Sequence, residues 1–491
     1  MVNGTTLEHL ILLRPSGELA TKSRHTRRRF QRSLVAALED ALAAAGTSYE
    51  VQDDWGRLYV RASSRAALDV VARVYGIASL SEVEATTEAS LDSIVEVGER
   101  VYADRVRGGT FGVRARRSGK HSFSSRDVNY QLGAALNRYA EVDLGDPDVA
   151  VGVEVRDETA YFYSKQFPGA GGLPAGVEGP AVALVSGGYD SAVAAWMMLK
   201  RGVALDYVFC NLGGGAYERA VLAVAKLLAD EWSYGLSPKM HVVDFAEPVL
   251  QLRERVRESY WQVVLKRLMY RTADLIAREN GAHAIVTGES VGQVSSQTLA
   301  NLAAIDRSAV TPVLRPLVGF DKGEIINQSR KIGTYPLSEK VREYCALTEL
   351  RPVTEAAPAD AASEEAQLDL SVLESAVEGR RVLALRDLDP SELMMPYLYT
   401  SEIAAAAIVL DTRSAAQYDA WHYPGARHCD FWDLFRDLRS LEKERTYVLY
   451  CDLGLKTAQL AEKMQQAGYE AYSFKGGVRA LRNYVEALGR T

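Results

Sequence analysis

Residues 181–202 read AVALVSGGYDSAVAAWMMLKRG, and their reading decides the fold of the middle of the chain. The unbroken apolar run Ala181–Val185 reads as a buried strand, since no polar residue alternates within it. SGGYDS (186–191) is a turn, and a helical pattern opens behind it. Gly187 and Gly188 let backbone N–H groups come close to an anion, and the helix N-terminus adds partial positive charge. Ser186 and Ser191 can donate further hydrogen bonds, while Asp190 can hold Mg2+ or orient a substrate. The stretch is neither a Walker loop nor a dinucleotide fingerprint, because both glycine spacings are missing. A tight strand–helix turn without a ligand is the plainer alternative, and SGG-x-DS in this setting weighs against it.

Outward from the turn, strand and helix alternate. LDYVFCNL (205–212) is a second strand, and AHAIVTG (282–288) is another that runs into the polar loop ESVGQVSSQ (289–297). Between them a long helix ends near Asn280, with Trp261, Val264, Leu265, Leu268, Thr272, Leu275 and Ile276 on one face. This order predicts a doubly wound parallel sheet with helices on both faces. GAGGLPAGVEGP (169–180) is dense in Gly and Pro and marks a domain boundary on the N-terminal side. RPVTEAAPADAASEEA (351–366) has no core pattern and reads as a second linker, with a helix behind it at LDLSVLESAV (368–377). Beyond it the α/β pattern returns, through strands IVLDTR (408–413), TYVLYC (446–451) and EAYSFKGG (470–477).

The 491 residues predict about three domains. No apolar stretch approaches the ~20 residues of a membrane span, and the N-terminus lacks the basic region of a signal peptide. Four cysteines, Cys210, Cys345, Cys429 and Cys451, are too few and too scattered for a disulfide framework and include no C-x-x-C pair. A reducing, cytoplasmic setting fits. The net charge of −7 gives no help toward nucleic acid, but its distribution does. TKSRHTRRRF (21–30) forms a basic turn ahead of a helix that presents Leu34, Val35, Leu38 and Leu42 and ends at Gly46. In RVRGGTFGVRARRSGKHSF (105–123), Phe111, Val113 and Ala115 alternate with Gly112, Arg114 and Arg116, a half-buried strand with a charged face. Each cluster alone reads equally well as a solvated face; two in one α/β region favour phosphate-backbone contact through Lys22, Arg27, Arg28, Arg114 and Arg116.

SGGYDS resembles the pyrophosphate loop of the adenine-nucleotide α-hydrolase superfamily, whose members cleave ATP between the α and β phosphates. GGLPAG (171–176), FCNLGGGA (209–216), LKRLMYRTA (265–273), TGESVGQVSSQTLANL (287–302), LRPLVGFDK (314–322) and EYC (343–345) narrow this. Together they resemble the tRNA 4-thiouridine synthase (ThiI) family. SGELATKSRHTRRRF (16–30) and the stretch from VYGIAS to TFGVRARR (74–117) resemble its ferredoxin-like and THUMP RNA-binding region. The C-terminal residues resemble the rhodanese domain that some members carry. The resemblance implies an α/β multidomain chain: a ferredoxin-like domain at 1–60, a THUMP domain at 61–168 and a pyrophosphate-loop domain at 175–350. A linker at 351–400 and a rhodanese-like domain at 401–491 complete it. It further implies ATP with Mg2+, tRNA as substrate, and nucleotide contacts at Leu184, Val185, Phe209, Arg267, Gly288 and Gln297 besides the loop itself. Arg267 would neutralise phosphate charge, Asp190 would act in catalysis, and Lys322 would meet substrate charge.

YVLYCDLGLKTAQL (447–460) carries a strand straight into Cys451 and then into a helix. Loop N–H groups and the helix dipole there would stabilise a thiolate, and Lys456 adds positive charge. The plainer alternative is an inert buried thiol. The resemblance implies that Cys451 carries a persulfide and that Cys345 becomes its disulfide partner as sulfur is released. The arginine-rich rhodanese loop is absent, which favours a cysteine desulfurase over thiosulfate as donor. Cys210, within YVFCNL, reads as core. A second function class is a sulfur-relay protein feeding the thiamine sulfur-carrier protein, and a third is an ammonia-using ligase on the same nucleotide fold. The sequence leaves open which tRNAs bind, how the uridine is exposed, whether the chain forms a homodimer, and whether sulfur leaves as free sulfide or by direct persulfide attack.

Overall fold

The computed structural model describes residues 7–54, 56–339, 341, 352–388, 393, 396–404, 406–413, 415–451 and 455–488. The chain divides into two compact units, the first being Met1–Glu178 with Leu199–Ala204 and Glu231–Leu236.

Strands of the first unit are β1 (His9–Pro15), β2 (Tyr49–Asp54), β3 (Arg57–Ala62), β4 (Ile77–Val83), β5 (Ala85–Glu88), β6 (Thr110–Ser118), β7 (Glu141–Val142), β8 (Val149–Arg156), β9 (Thr159–Tyr163) and β10 (Phe167–Pro168). They form two five-stranded sheets, ordered β10-β4-β1-β3-β2 and β5-β9-β8-β6-β7. Helix Arg24–Ala44 buries Phe30, Leu34, Ala37, Leu38, Ala41 and Leu42 against Ile11, Leu13, Leu58 and Val60 of the first sheet. Each of the Phe and Leu side chains contributes about 1.5–3 kcal/mol on burial. The basic segment read as a turn is the first half of this helix: the Ser23 side chain caps it by accepting from the Thr26 N–H, and Phe30 anchors it. Gly46 follows the helix at φ 64°, the left-handed conformation that suits glycine.

The two sheets are tied by a buried charge cluster. Glu154 of β8, fully buried, accepts from Arg14 of β1 (3.1 Å), Arg57 of β3 (2.5 Å) and its neighbour Arg156 (2.8 Å). Burial pushes its carboxyl up, but the charges of Arg57, Arg14 and Arg156 outweigh this and hold it below the usual carboxylate range.

The second unit begins with β11 (Pro180–Leu184), β12 (Ala204–Asn211), β13 (Lys239–Asp244), β14 (Ile285–Val286), β15 (Val313–Leu314) and β16 (Arg381–Ala384). The sheet order is β15-β14-β11-β12-β13-β16, and only the last pairing, β13 with β16, is antiparallel among the registers described. From β11 the chain goes first to one side and then, at β14, to the other. The crevice beyond the carboxyl ends of β11 and β14 is therefore the switch point where such sheets bind ligands.

The expected linker at 351–400 is corrected in its first half. Helices Pro358–Glu365 and Ser371–Glu378 and strand β16 pack onto this domain, and β16 extends its sheet. Ala356, Ala361, Leu368, Leu373 and Val377 join the cluster of Trp261, Val264 and Leu268. The physical reason is helix Trp261–Glu279, whose buried residues run around most of its circumference, so that the side away from the sheet needs cover.

The C-terminal sheet contains β17 (Tyr399–Thr400), β18 (Ile408–Asp411), β19 (Arg427–His428), β20 (Thr446–Tyr450) and β21 (Glu470–Phe474), ordered β17-β21-β20-β18-β19 and parallel throughout. Tyr447 and Leu449 of β20 pack into one apolar cluster, and Val448 and Tyr450 into the other. Burial on both faces explains why this strand reads as an unbroken apolar run. Among the described residues no helix is long and apolar enough to cross a membrane.

Candidate active site

A cavity of about 460 Å³ opens at the switch point, within the size range of small-molecule sites. Its walls include Leu184, Val185, Ser186, Asp190, Ser191, Phe209, Gly288 and Gln297. All eight were singled out in the sequence. The loop is held from several sides. The Val185 N–H donates to the Val208 carbonyl (3.0 Å), the Ser186 N–H to Ser191 Oγ (3.3 Å), and Tyr217 Oη–H to the Ser186 carbonyl (2.9 Å). Gly187 sits at φ 76°, where other residues are strained. Helix Tyr189–Lys200 starts directly after Gly188, so its first N–H groups face whatever anion the loop holds.

Gly288 is explained by close approach. A Cβ there would lie 2.5 Å from both the Asp190 carbonyl carbon and the Ser191 nitrogen. Gln297 shapes the loop after β14: its side-chain oxygen accepts from the Ser290 N–H (3.3 Å) and its carbonyl from the Gly292 N–H (2.9 Å).

Asp190 is nearly buried and engaged on both oxygens. Lys322 Nζ lies 2.8 and 3.0 Å from them, and Gln293 Nε2 donates to one at 2.8 Å. Lys322 also stands 5.5 Å from the Tyr189 ring, which stacks on Tyr335, and Arg330 covers the far face. Asp190 and Lys322, far apart in sequence, thus form one half-exposed ion pair at the loop. No group of three or more His, Cys, Asp or Glu side chains able to hold a metal ion occurs among the described residues. Asp190, the residue read as a Mg2+ holder, is paired with Lys322 instead.

Arg267 is placed away from the cavity. Only 2% exposed, it donates to the Ala304 carbonyl and to Glu365 (2.6 Å), and lines a second hollow with Arg271 and Arg307. Its neighbour Lys266 lines the nucleotide-sized cavity with Gln262, Leu265, Met269 and Tyr270. Those positions follow the i, i+3, i+4, i+7, i+8 pattern of one helix face, so the phase of LKRLMYRTA contained the signal for Lys266. Lys266 faces Glu289 at 3.7 Å, and Arg315 donates to Glu289 at 2.8 Å. Burial raises the Glu289 carboxyl, but Lys266 and Arg315 outweigh it and keep it below the usual range. Burial and the Glu289 charge push the Tyr270 hydroxyl, bonded to Glu289, well above its ordinary value. Burial likewise pushes the Cys210 thiol up; it lines the cavity wall as a core residue.

The second candidate centre is Cys451, 6% exposed at the end of β20. Its Sγ lies 3.6 Å from Thr457 Oγ1, which bonds Ser473 Oγ at 2.7 Å, and its carbonyl accepts from the Val478 N–H at 2.9 Å. Helix Leu455–Gln466 opens just after the thiol. Beneath lies a buried pair, Asp411 and Arg413 (2.6 Å), with the Arg413 carbonyl bonded to His428 (2.7 Å). Cys345 and the rest of the EYC motif lie outside the described residues, as do residues 452–454 and the side chain of Lys456.

On the first unit, Arg114 and Arg116 are exposed on one face of β6 while Phe111 and Val113 are buried, although Gly112 is buried too. Arg28 is exposed on helix Arg24–Ala44, Arg27 is half-buried near Gly56, and Lys22 lies 5.6 Å from the Phe30 ring.

Comparison with known proteins covers most of the chain. Residues 176–370 match the family described as thiamine biosynthesis protein (ThiI), 10–81 its ferredoxin-like domain, 88–165 the THUMP domain and 397–483 the rhodanese-like domain. A tRNA sulfurtransferase of Desulfurococcus amylolyticus is 38% identical over 97% of this chain and 98% of its own length. One of Aeromonas salmonicida is 36% identical over 92% and 97%. The crystal structure of a 4-thiouridine synthetase–RNA complex with bound ATP aligns with a TM-score of 0.66 and 32% identity, covering 76% of this chain and 99% of that one.

Proposed function

The chain belongs to the tRNA sulfurtransferase (ThiI) family, and from that premise we propose that it adenylates uridine eight of tRNA and replaces its O4 with sulfur delivered from Cys451. The observation that carries the reading is the cavity itself, which gathers the strand-end backbone, the phosphate loop, Phe209, Gly288 and Gln297 beside the Asp190–Lys322 pair. ATP is a substrate there: the cavity takes the nucleoside, and the loop and helix N-terminus take phosphates. Lys266 and Lys322 supply nearby positive charge. Magnesium accompanies the nucleotide, and no step is assigned to it.

The chemistry follows from a poor leaving group. The uridine O4 attacks the α-phosphorus, pyrophosphate departs, and the carbonyl oxygen becomes an AMP ester. Lys322 holds Asp190 oriented at the loop, where the carboxylate can position the base. The terminal sulfur of a Cys451 persulfide then bonds to C4, and AMP leaves with the oxygen. Attack of the Cys345 thiolate on Cys451 Sγ makes a disulfide and leaves both electrons of the broken S–S bond on the sulfur of the base. A dithiol reductant restores the two cysteines. Where sulfur instead departs as free sulfide, the same disulfide forms first. The exposed arginines of β6 and of helix Arg24–Ala44 hold the RNA backbone. A cysteine desulfurase supplies the persulfide, in the cytoplasm.

The test supplies ATP and unmodified tRNA with either desulfurase plus cysteine or excess sulfide, and reads 4-thiouridine by nucleoside mass spectrometry. Both routes are expected to yield product; absence of 4-thiouridine by either route overturns the reading. A second role, sulfur donation to the thiamine sulfur-carrier protein, is favoured by the description of the family that residues 176–370 match. It predicts that Asp190→Ala keeps thiamine-independent growth while losing thiolated tRNA.

A further inference from the structure

The run Gly213-Gly214-Gly215 follows β12, and two of its glycines have local explanations. Gly213 donates its N–H to Asn211 Oδ1 at 2.9 Å, and Gly214 takes φ 72°. Gly215 has neither. It is the second residue of helix Gly214–Trp232, in the first turn. What stands over Gly215 is the Glu462 carboxylate, the end of a flexible side chain that a Cβ there would push aside. Glu462 belongs to helix Leu455–Gln466, the helix that the Cys451 loop opens. The same carboxylate bonds Arg219 at 2.5 Å, with side-chain exposures of 24% and 13% for Arg219 and Glu462.

We propose that Gly215, Arg219 and Glu462 form the docking contact by which the Cys451-bearing domain is seated on the nucleotide domain for sulfur delivery. Three features agree. The carboxylate sits at the positive end of helix Gly214–Trp232, where negative charge is favoured. The pair is partly desolvated, which strengthens it over an open surface pair. The helix it grips is also part of the active site: Leu212 before it and Tyr217 on it line the cavity, and Tyr217 holds the phosphate loop through the Ser186 carbonyl. Glu462 lies about two turns, or about 10 Å, beyond the start of its own helix. The contact therefore ties the helix that follows Cys451 in the chain to the N-terminal end of helix Gly214–Trp232. Arg219 and Glu462 act as positioning residues and touch no reacting atom.

The inference rests on the Cys451 carrier reading, and the test separates the two. Full-length protein is loaded with sulfur by cysteine desulfurase and cysteine, then mixed with ATP and unmodified tRNA for a single turnover. Arg219→Glu and Glu462→Arg should each slow thiolation about tenfold, and the double reversal should recover most of the loss, the signature of a direct pair. Persulfide loading and sulfide-driven thiolation should remain at wild-type levels. A single reversal that leaves the rate unchanged or raises it overturns the docking role, as does a double variant as slow as the singles. Cys451→Ala is run alongside: if it retains desulfurase-driven thiolation, the carrier reading itself has failed, whereas loss there with unaffected charge variants refutes docking alone.

Discussion

The phosphate loop after β11 and the cysteine turn after β20 are the same local device put to two uses. Each stands where a buried parallel strand is followed closely in the chain by a helix, whose N-terminus favours negative charge. Their surroundings differ. The first faces a cavity of about 460 Å³ and is braced by Tyr217, Gly288 and the Lys322–Asp190 pair. At the second, among the described residues, Cys451 is packed to 6% exposure beside Thr457. A helix N-terminus selects for negative charge but not for chemistry; the neighbouring walls decide whether it holds phosphates or a sulfur anion.

The largest expected effect breaks the first centre. Asp190→Ala should lower thiolation by about 10²–10³-fold with either sulfur source, since it removes a preorganised charge at the loop. Nucleoside mass spectrometry reads the outcome, and sulfide-driven product at wild-type rate would place the chemistry elsewhere. Cys451→Ala should abolish desulfurase-driven thiolation while sulfide-driven thiolation continues. Equal loss by both routes would mean that the cysteine turn shapes the nucleotide site, and the contrast between the two centres would collapse.

The two centres were also unequally legible in the sequence. The strands announced themselves because burial on both faces leaves unbroken apolar runs. SGGYDS stood out as a glycine- and serine-rich turn between a buried strand and a helix, its role as a pyrophosphate loop being implied by the family resemblance. Arg267 was misassigned because guanidinium chemistry was weighed without helix phase. Lys266 and Arg267 are separated by about 100° around the helix, and only the first shares the face of Met269 and Tyr270. Residues 352–388 looked like a linker because an alanine- and acid-rich segment lacks a core pattern of its own. What it covers, the outer side of helix Trp261–Glu279, is a need visible only in three dimensions. The ion pair of Asp190 with Lys322 was likewise hidden by separation along the chain.

That covering segment gives the next prediction. Glu365, 3% exposed, accepts from Arg267 and Arg271. Burial pushes its carboxyl up, but the hydrogen bonds from Arg271 and Arg267 and their charges hold it below the usual range. A depressed carboxylate adds stability above its unfolded pKa of about 4.3, and that contribution fades as pH falls through the lower folded value. Glu365→Gln leaves buried Arg267 without its counter-charge and should cost about 3–5 kcal/mol in urea unfolding at neutral pH. Its deficit should shrink in acid below the folded value. A deficit independent of pH would assign the loss to packing.

Gly288→Ala is the finest probe of the comparison, because it alters backbone spacing and no charge. The new methyl would press on the Asp190 carbonyl carbon and the Ser191 nitrogen, both at 2.5 Å, and neither is a side chain that can rotate away. Such overpacking costs about 1–3 kcal/mol, and here the strain falls on the turn that must cradle phosphates. ATP affinity should weaken, with the KM for ATP rising more than the KM for tRNA. Persulfide loading on Cys451 should be untouched, since that turn has its own strand, helix and supporting hydrogen bonds. If loading fell together with ATP affinity, the two strand-to-helix turns would be one cooperative structure instead of two centres that meet only to pass sulfur.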